Sequence, residues 1–200
     1  MRTKSEARRQ TILEVAAKAF NEGGFEATSM SEIAARVGGS KATLYNYFPS
    51  KEALFAAVMV NQVKEHAAPL VHAFVEAAEI GDGVRRLAPR YIRLMLRPEV
   101  LAVNRLCVAE GERCGFGPDV YKQGPKPAWN NIAERLKRAM DEGALRKADP
   151  WTAALHLKAL CEAGLVEEKL RGWRDTATDE EIAETGAAAA EAFLRAYRPD

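Results

Sequence analysis

The sequence predicts an all-α protein, and three features predict it. Alanine is abundant while β-branched residues are sparse and aromatics make up only 8% of the chain, a composition that favours helices. No window alternates apolar and polar residues with a period of two between turn residues, so no strand is expected. Apolar residues instead recur at helical spacing between Ser, Thr or Asp caps and Gly or Pro stops, dividing the 200 residues into nine or ten helices. A hydrophobic share of 48% with 28% charged residues is enough to bury a real core.

The first helix is expected from Thr3 or Lys4 to Asn21, with Ile12, Val15, Ala16, Ala19 and Phe20 as its core stripe and Gly23-Gly24 as its end. Ser29 and Glu32 form a capping box that opens a second helix, whose stripe is Ile33, Ala34 and Val37. Gly38-Gly39 stops it, because glycine enters the left-handed conformation cheaply. Ser40 caps a third helix, through Leu44 to about Tyr47, and Pro49 closes it. Ser50 caps a fourth, which carries Leu54, Phe55, Val58, Met59 and Val63 to about His66 and is long enough to join a head to a body. Two helices joined by a glycine-containing turn, the second rich in exposed donors, make a helix-turn-helix that places its second helix in the DNA major groove.

The run Ile33-Ala34, Gly38, Ser40-Lys41, Thr43-Leu44-Tyr45, Tyr47-Phe48 and Ser50 to Leu54 resembles the DNA-binding signature of TetR-type transcriptional regulators. Ile12 to Phe20 and Gly23 to Thr28 match the first helix and loop of the same pattern, so the resemblance covers roughly residues 5 to 55. One departure is Gly39, where the family usually carries Val or a similar apolar residue in the turn.

Beyond the head, Pro69 is expected to start a new helix to about Glu79, followed by a turn at Gly81-Asp82-Gly83. A helix from Val84 to about Arg97 contains Pro89 as a kink, and Pro98 opens the next, to about Glu112. Residues 115–125 read as a turn, a short helix and a turn. A helix from about Lys126 to Glu142 is ended by Gly143. Asp149 caps a helix expected to run to Arg171, and Thr178 with Glu181 forms a capping box for a last helix to about Arg198. The spacing from Pro98-Glu99-Val100 through Gly143 to Arg146 and Asp149-Pro150 resembles the AefR-like subgroup of TetR-type C-terminal domains. The expected division is a DNA-binding head at 1–49 and an effector-binding and dimerisation body at 50–200.

Net charge is only +1, but residues 1–51 carry eight basic against five acidic side chains, leaving the remainder net negative. A basic end on a slightly acidic body fits a DNA-binding head. Cys107, Cys114 and Cys161 are odd in number and lack metal-type spacing, and no signal peptide is read, so a reducing cytoplasm is expected. No apolar run approaches the ~20 residues needed to cross a bilayer.

The DNA contacts are expected from Ser40, Lys41, Ala42, Thr43 and Asn46 at the exposed start of the second helix of the motif. Lys41 suits guanine O6/N7, Asn46 suits adenine, and Ala42 or the Thr43 methyl suits a thymine methyl. The resemblance implies phosphate contacts from Tyr45, Tyr47, Lys51 and Thr28 or Ser29. Arg2, Lys4, Arg8 and Arg9 are a further basic set within reach of the backbone or the flanking minor groove, with a solubilising tail as the alternative.

In the body, Phe74, Tyr91, Met95, Leu106, Cys107, Phe116, Tyr121, Trp129 and Leu157 are candidates to line a ligand cavity, with His72, Glu110 and His156 as polar anchors. Plain bundle core is the alternative for each apolar one. His66 and His72 lie off one helix face, so no metal site is expected, and neither a catalytic constellation nor a cofactor motif appears. Trp151, Leu155, Leu157, Leu160, Cys161, Leu165 and Val166, with Ile182, Ala187, Ala190, Phe193, Leu194 and Tyr197, exceed one narrow stripe per helix. They suit a homodimer through the last two helices, burial within the subunit being the alternative. The expected function is a ligand-responsive repressor that binds a palindromic DNA operator as a homodimer and answers to a small-molecule effector. An activator, a thiol-based redox regulator, and a helical enzyme or carrier are the rivals.

Overall fold

A computed structural model of the chain describes residues 5–199 and folds them into eleven helices, with no strand among the described residues. Arg2 and Lys4, and the expected first turn at Thr3, lie outside the described residues. The head comprises α1 (Glu6–Ala27), α2 (Met30–Val37) and α3 (Lys41–Tyr47). The connecting helix is α4 (Lys51–Val75), and the body holds α5 (Ile80–Met95), α6 (Pro98–Glu110), α7 (Gly117–Gln123), α8 (Pro125–Asp141), α9 (Pro150–Glu162), α10 (Leu165–Leu170) and α11 (Asp179–Ala196).

The caps follow the sequence closely. Ser29, Ser40 and Ser50 each accept a hydrogen bond from the backbone N–H three residues on, and Gly38 closes α2 at φ 70°. Thr178 and Glu181 form a reciprocal box at the start of α11. At α2 only half of the expected box is made, because the Glu32 carboxylate turns to Arg36 at 2.8 Å.

Four boundaries differ from expectation, two through tertiary burial and two at glycines of positive φ. Gly24, at φ 75°, kinks α1 rather than ending it, and one further turn reaches Ala27. Pro69 does not start a helix but sits inside α4, on its exposed side. The helix continues beyond it because Val71 and Phe74 are buried in the body core. Gly81-Asp82-Gly83 is the first turn of α5, held there by burial of Ile80 and Val84. A Cβ on Gly83 would lie 3.1 Å from that of Ala77. The single helix expected from Asp149 to Arg171 breaks at Ala163-Gly164, where Gly164 has φ 80°, giving α9 and α10.

Two apolar clusters result. The head cluster joins Ile12, Leu13, Phe20, Ile33, Leu44 and Phe48 to Leu54, Val58 and Met59 of α4, and takes Val103 and Phe116 from the body elements. The body cluster gathers Val71 and Phe74 of α4 with residues of α5, α8, α9, α10 and α11. The packing of the head thus extends past residue 49 into the first half of α4.

Helices α5 and α11 approach closely at Gly186, where a Cβ would lie 2.7 Å from both Cα and N of Pro89. Gly186→Ala would gain about 1 kcal/mol in helix propensity. The obstruction is backbone, so no rotamer relieves it, and overpacking of this kind costs about 1–3 kcal/mol. We expect a net loss of stability, read as a lower midpoint in urea denaturation. A midpoint at or above that of the parent would contradict the close approach.

Candidate functional site: recognition helix and body cavity

On α3, Leu44 is buried while Lys41, Ala42, Thr43, Tyr45 and Asn46 are exposed. One helix face therefore anchors the element and the other is free to enter a groove, which is the arrangement direct base reading needs. The Lys41 ammonium lies 5.9 Å from the centre of the Tyr45 ring. Ser40 holds the start of the helix through Thr43, with 3.0 Å to its N–H and 2.8 Å between the hydroxyls. Ser29 is exposed at the start of α2.

Other groups expected to face phosphate are engaged internally. Thr28 is only 2% exposed; its hydroxyl donates to the Gly24 carbonyl at 2.7 Å and lies 3.1 Å from that of Ala19, locking the kink of α1. That burial removes its side chain from any surface contact, a correction to the sequence expectation. The half-buried Lys51 ammonium donates to the carbonyls of Phe25 and Glu26 (2.8 and 3.3 Å) and sits 4.3 Å above the Phe25 ring. Tyr47 accepts from the Ser5 N–H through its hydroxyl oxygen. Arg8 donates to the carbonyls of Val37 and Gly38, where it caps the end of α2. A Cβ on Gly39 would lie 3.1 Å from the Arg8 guanidinium, so the small residue in the turn leaves room for this cap. Arg9 stacks over Phe48 at 5.3 Å and donates to Gln123 of α7.

The body encloses a cavity of about 1070 Å³, large enough for a drug-sized molecule. The expected residues His72, Tyr91, Met95, Cys107, Tyr121 and Trp129 line it. The others do not. Phe74 and Leu157 are sealed in the body core, and Phe116 and Leu106 belong to the head cluster. Glu110 pairs with Arg113, and His156 bonds the Tyr197 hydroxyl at 2.7 Å on a different face of α9. Sequence reasoning missed Asn104, Gln123, Lys158 and Glu162. The available signal was the Lys158/Glu162 pair at i,i+4 in an otherwise apolar helix, which reads equally well as a surface ion pair.

Glu162 is the polar centre of the wall. It accepts from the Tyr91 hydroxyl at 2.6 Å and from Lys158 at 2.5 Å. Tyr91 meets Trp129 edge to face, with ring centres 5.1 Å apart. Burial first, then the charge of Glu162, holds the Tyr91 phenol well above its ordinary range. The same two causes push the adjacent Cys161 thiol up to about 12, and burial raises Cys107.

α7 forms a thin wall between the cavity and the head. Val120 and Gln123 line the large cavity on one side and, on the other, a space of about 140 Å³ shared with Arg9, Tyr47 and Phe48.

Of the residues expected at a dimer interface, Leu157, Cys161, Leu165, Val166, Ile182, Ala190, Phe193 and Tyr197 are buried within the subunit. The outward face of α9 carries Leu155, Ala159 and, at its end, Ala163. That of α11 carries Ala183, Ala187, Ala188 and Ala192. Among the described residues no helix is long and apolar enough to cross a membrane. No group of three His, Cys, Asp or Glu there could hold a metal ion.

The profile described as "Bacterial regulatory proteins, tetR family" matches residues 12–58, and "AefR-like transcriptional repressor, C-terminal domain" matches residues 82–199. The chain belongs to the TetR family. Its fold superposes on a TetR-family regulator from Mesorhizobium loti with TM-score 0.78 and 27% identity, covering 98% of this chain and 99% of that one. The Flavonoid-responsive Regulator FrrA gives TM-score 0.69 and 31% identity at the same coverage. Among sequences, the HTH-type regulator YhgD of Bacillus subtilis is 38% identical over 160 residues, 76% of this chain and 79% of that protein. The regulator RutR of Escherichia coli is 42% identical over 64 residues, 32% of this chain, and the match spans only 30% of RutR's length. This TetR-family chain is a helix-turn-helix transcriptional regulator.

Thiol protection is the measurable consequence of the body packing. With its pKa at about 12, Cys161 is thiolate in only about one molecule in ten thousand at pH 8. We expect iodoacetamide to leave Cys161 unmodified in the folded protein, and to label it at once in denaturant, by mass spectrometry of peptides. Labelling of native Cys161 at the rate of a free thiol would refute the packing around it.

Proposed function

We propose that this TetR-family regulator is a homodimeric repressor, acting in the cytoplasm, whose operator affinity is set by a small molecule bound in the body cavity. The observation that carries this reading is α4: its first half packs in the head cluster, and Val60, Val63, Ala67, Leu70, Val71 and Val75 of the same helix line the cavity. A ligand that binds better when α4 is displaced shifts the population of head positions by that difference in affinity. α7 supplies a second route, through Gln123 to Arg9. The likeness to FrrA supports a flat, largely apolar effector, which suits walls built from Val, Leu, Ile, Met, Tyr and Trp. Ser29, Ser40, Lys41, Ala42, Thr43, Tyr45 and Asn46 are the proposed DNA-facing set. Tyr47 and Lys51 serve DNA through the shape of the head, and Lys51 also by its charge. Footprinting the purified protein on the DNA upstream of its own gene, then adding candidate compounds, tests the whole reading. A protein that protects no site there, or that no compound releases, counts against it.

Two variant sets separate the parts. Lys41→Ala and Asn46→Ala should relax preference at individual bases by about 1–3 kcal/mol for a good bidentate contact, measured by binding to operator variants. Unchanged affinity and preference in both would show that α3 is not read in this way.

For the dimer, the outward faces of α9 and α11 are the proposed contact, α11 contributing mainly alanines that permit close helix approach. Leu155→Glu and Ala187→Glu should therefore yield folded monomers in sedimentation. Charge at Leu165 or Phe193 would instead strike the subunit's own core. The parent dimer should protect two inverted half-sites about one helical turn apart, ~34–36 Å, or a multiple of it. A parent monomer bound tightly to one half-site would exclude the dimer.

A further inference from the structure

The charged residues around the cavity fall into two groups. Lys64, Glu134, Arg138 and Glu167 are exposed, hence at its opening. Further in, beside the buried aromatic pair Tyr91 and Trp129, stand only Lys158 and Glu162, already paired with each other. Among the described residues no buried side-chain nitrogen or oxygen lacks a partner, so the inner group presents no unpaired buried polar atom for a ligand to satisfy.

Each class of ligand meets this group differently. A carboxylate would have to share the Lys158 ammonium with Glu162, bringing two anions around one cation in an apolar cavity, where their repulsion is poorly screened. An amine would have to displace Lys158. A neutral hydroxyl breaks nothing. Tyr91 spends its one proton on Glu162, leaving lone pairs on its oxygen, and Lys158 has two N–H donors beyond the one used. A ligand hydroxyl can donate to Tyr91 or Glu162 while accepting from Lys158. Trp129 lines the cavity alongside, its ring at right angles to that of Tyr91, and adds apolar wall for a planar ring.

We propose that Tyr91, Glu162 and Lys158 form a subsite that selects uncharged, hydroxyl-bearing aromatic ligands and rejects carboxylates of the same shape. This rests on the reading of the cavity as the effector site, and adds which substituent is chosen and by which residues. The buried phenol, held protonated, stays a hydrogen-bond donor to Glu162 throughout the neutral pH range.

The test uses the full chain and three matched probes: flavone, 6-hydroxyflavone and flavone-6-carboxylate, titrated calorimetrically. The parent should bind 6-hydroxyflavone at least about tenfold tighter than flavone, with the carboxylate weakest. Glu162→Gln leaves Lys158 without its anion, so the carboxylate should gain at least about tenfold and overtake flavone. Tyr91→Phe should shrink the hydroxyl advantage while flavone binding persists. A damaged fold weakens all three probes together and cannot reverse their order. Should Glu162→Gln not fold, Lys158→Met serves: the hydroxyl advantage should shrink and the carboxylate remain weakest. The subsite is overturned if the parent binds the carboxylate as well as the hydroxyl probe, if Glu162→Gln keeps the parental order, or if none of the three binds. Release of operator DNA by all three probes alike would overturn the subsite while leaving the effector reading intact. Failure of every compound to release DNA would overturn both.

Discussion

The hydrogen-bonded ladder of α4 joins two hydrophobic cores that otherwise share little. Leu54, Val58 and Met59 on one stretch are sealed among Ile12, Phe20, Ile33 and Leu44, and Val71 and Phe74 on another stretch are sealed among α5, α8 and α9. Each core fixes the rotation of the helix about its axis, so the two settings must agree along 25 residues. The position of α3 in space follows from that agreement, since Leu44 and Phe48 seat it on the same cluster. The shape of the cavity follows from it too, because the face of α4 between the cores supplies one wall.

The head uses its cations differently from what charge counting implies. Arg8 and Lys51 terminate helices α2 and α1 by donating to carbonyls left free at their ends, and Arg9 ties α1 to α7. Such bonds to charged donors hold the elements at set angles, which a three-helix unit of this size needs because its apolar core is small. The basic excess of residues 1–51 is therefore partly structural, with Lys41 left exposed on α3.

How far the sequence could be read depended on whether the deciding interaction was local. Ser29, Ser40, Ser50 and Gly38 act on N–H and C=O groups within five residues, so the helix-turn-helix was legible in detail. Pro69 and Gly81-Gly83 depart from expectation because burial of Val71, Phe74, Ile80 and Val84, set by distant helices, overrides their local preference, whereas the break at Ala163-Gly164 is a local one, made by Gly164 at φ 80°. The cavity was half legible. Tyr91 and Phe74 are both large and both on apolar stripes, and only the placement of α8 and α9 makes one a wall and the other core. Thr28 reads as a surface hydroxyl from sequence because nothing local shows that the α1 kink folds over it. The final helix poses the same difficulty: its apolar residues are legible, but which face turns inward depends on the α5–α11 contact at Gly186.

Pro69 gives α4 a mechanical property. Its nitrogen has no proton, so the Glu65 carbonyl loses its rung and the helix is softest there. Residues 70–75 beyond it are clamped in the body, and the arm from Pro69 back to Lys51 is eighteen residues, about 27 Å at 1.5 Å per residue. A swing of about 5° at the proline carries the far end through roughly 2.4 Å, several times the ~0.5 Å tolerance of a well-set contact. Ala67 and Ala68 before Pro69 and Leu70 after it line the cavity, so the unmade rung lies in the cavity wall itself, at the opposite end of the arm from the head.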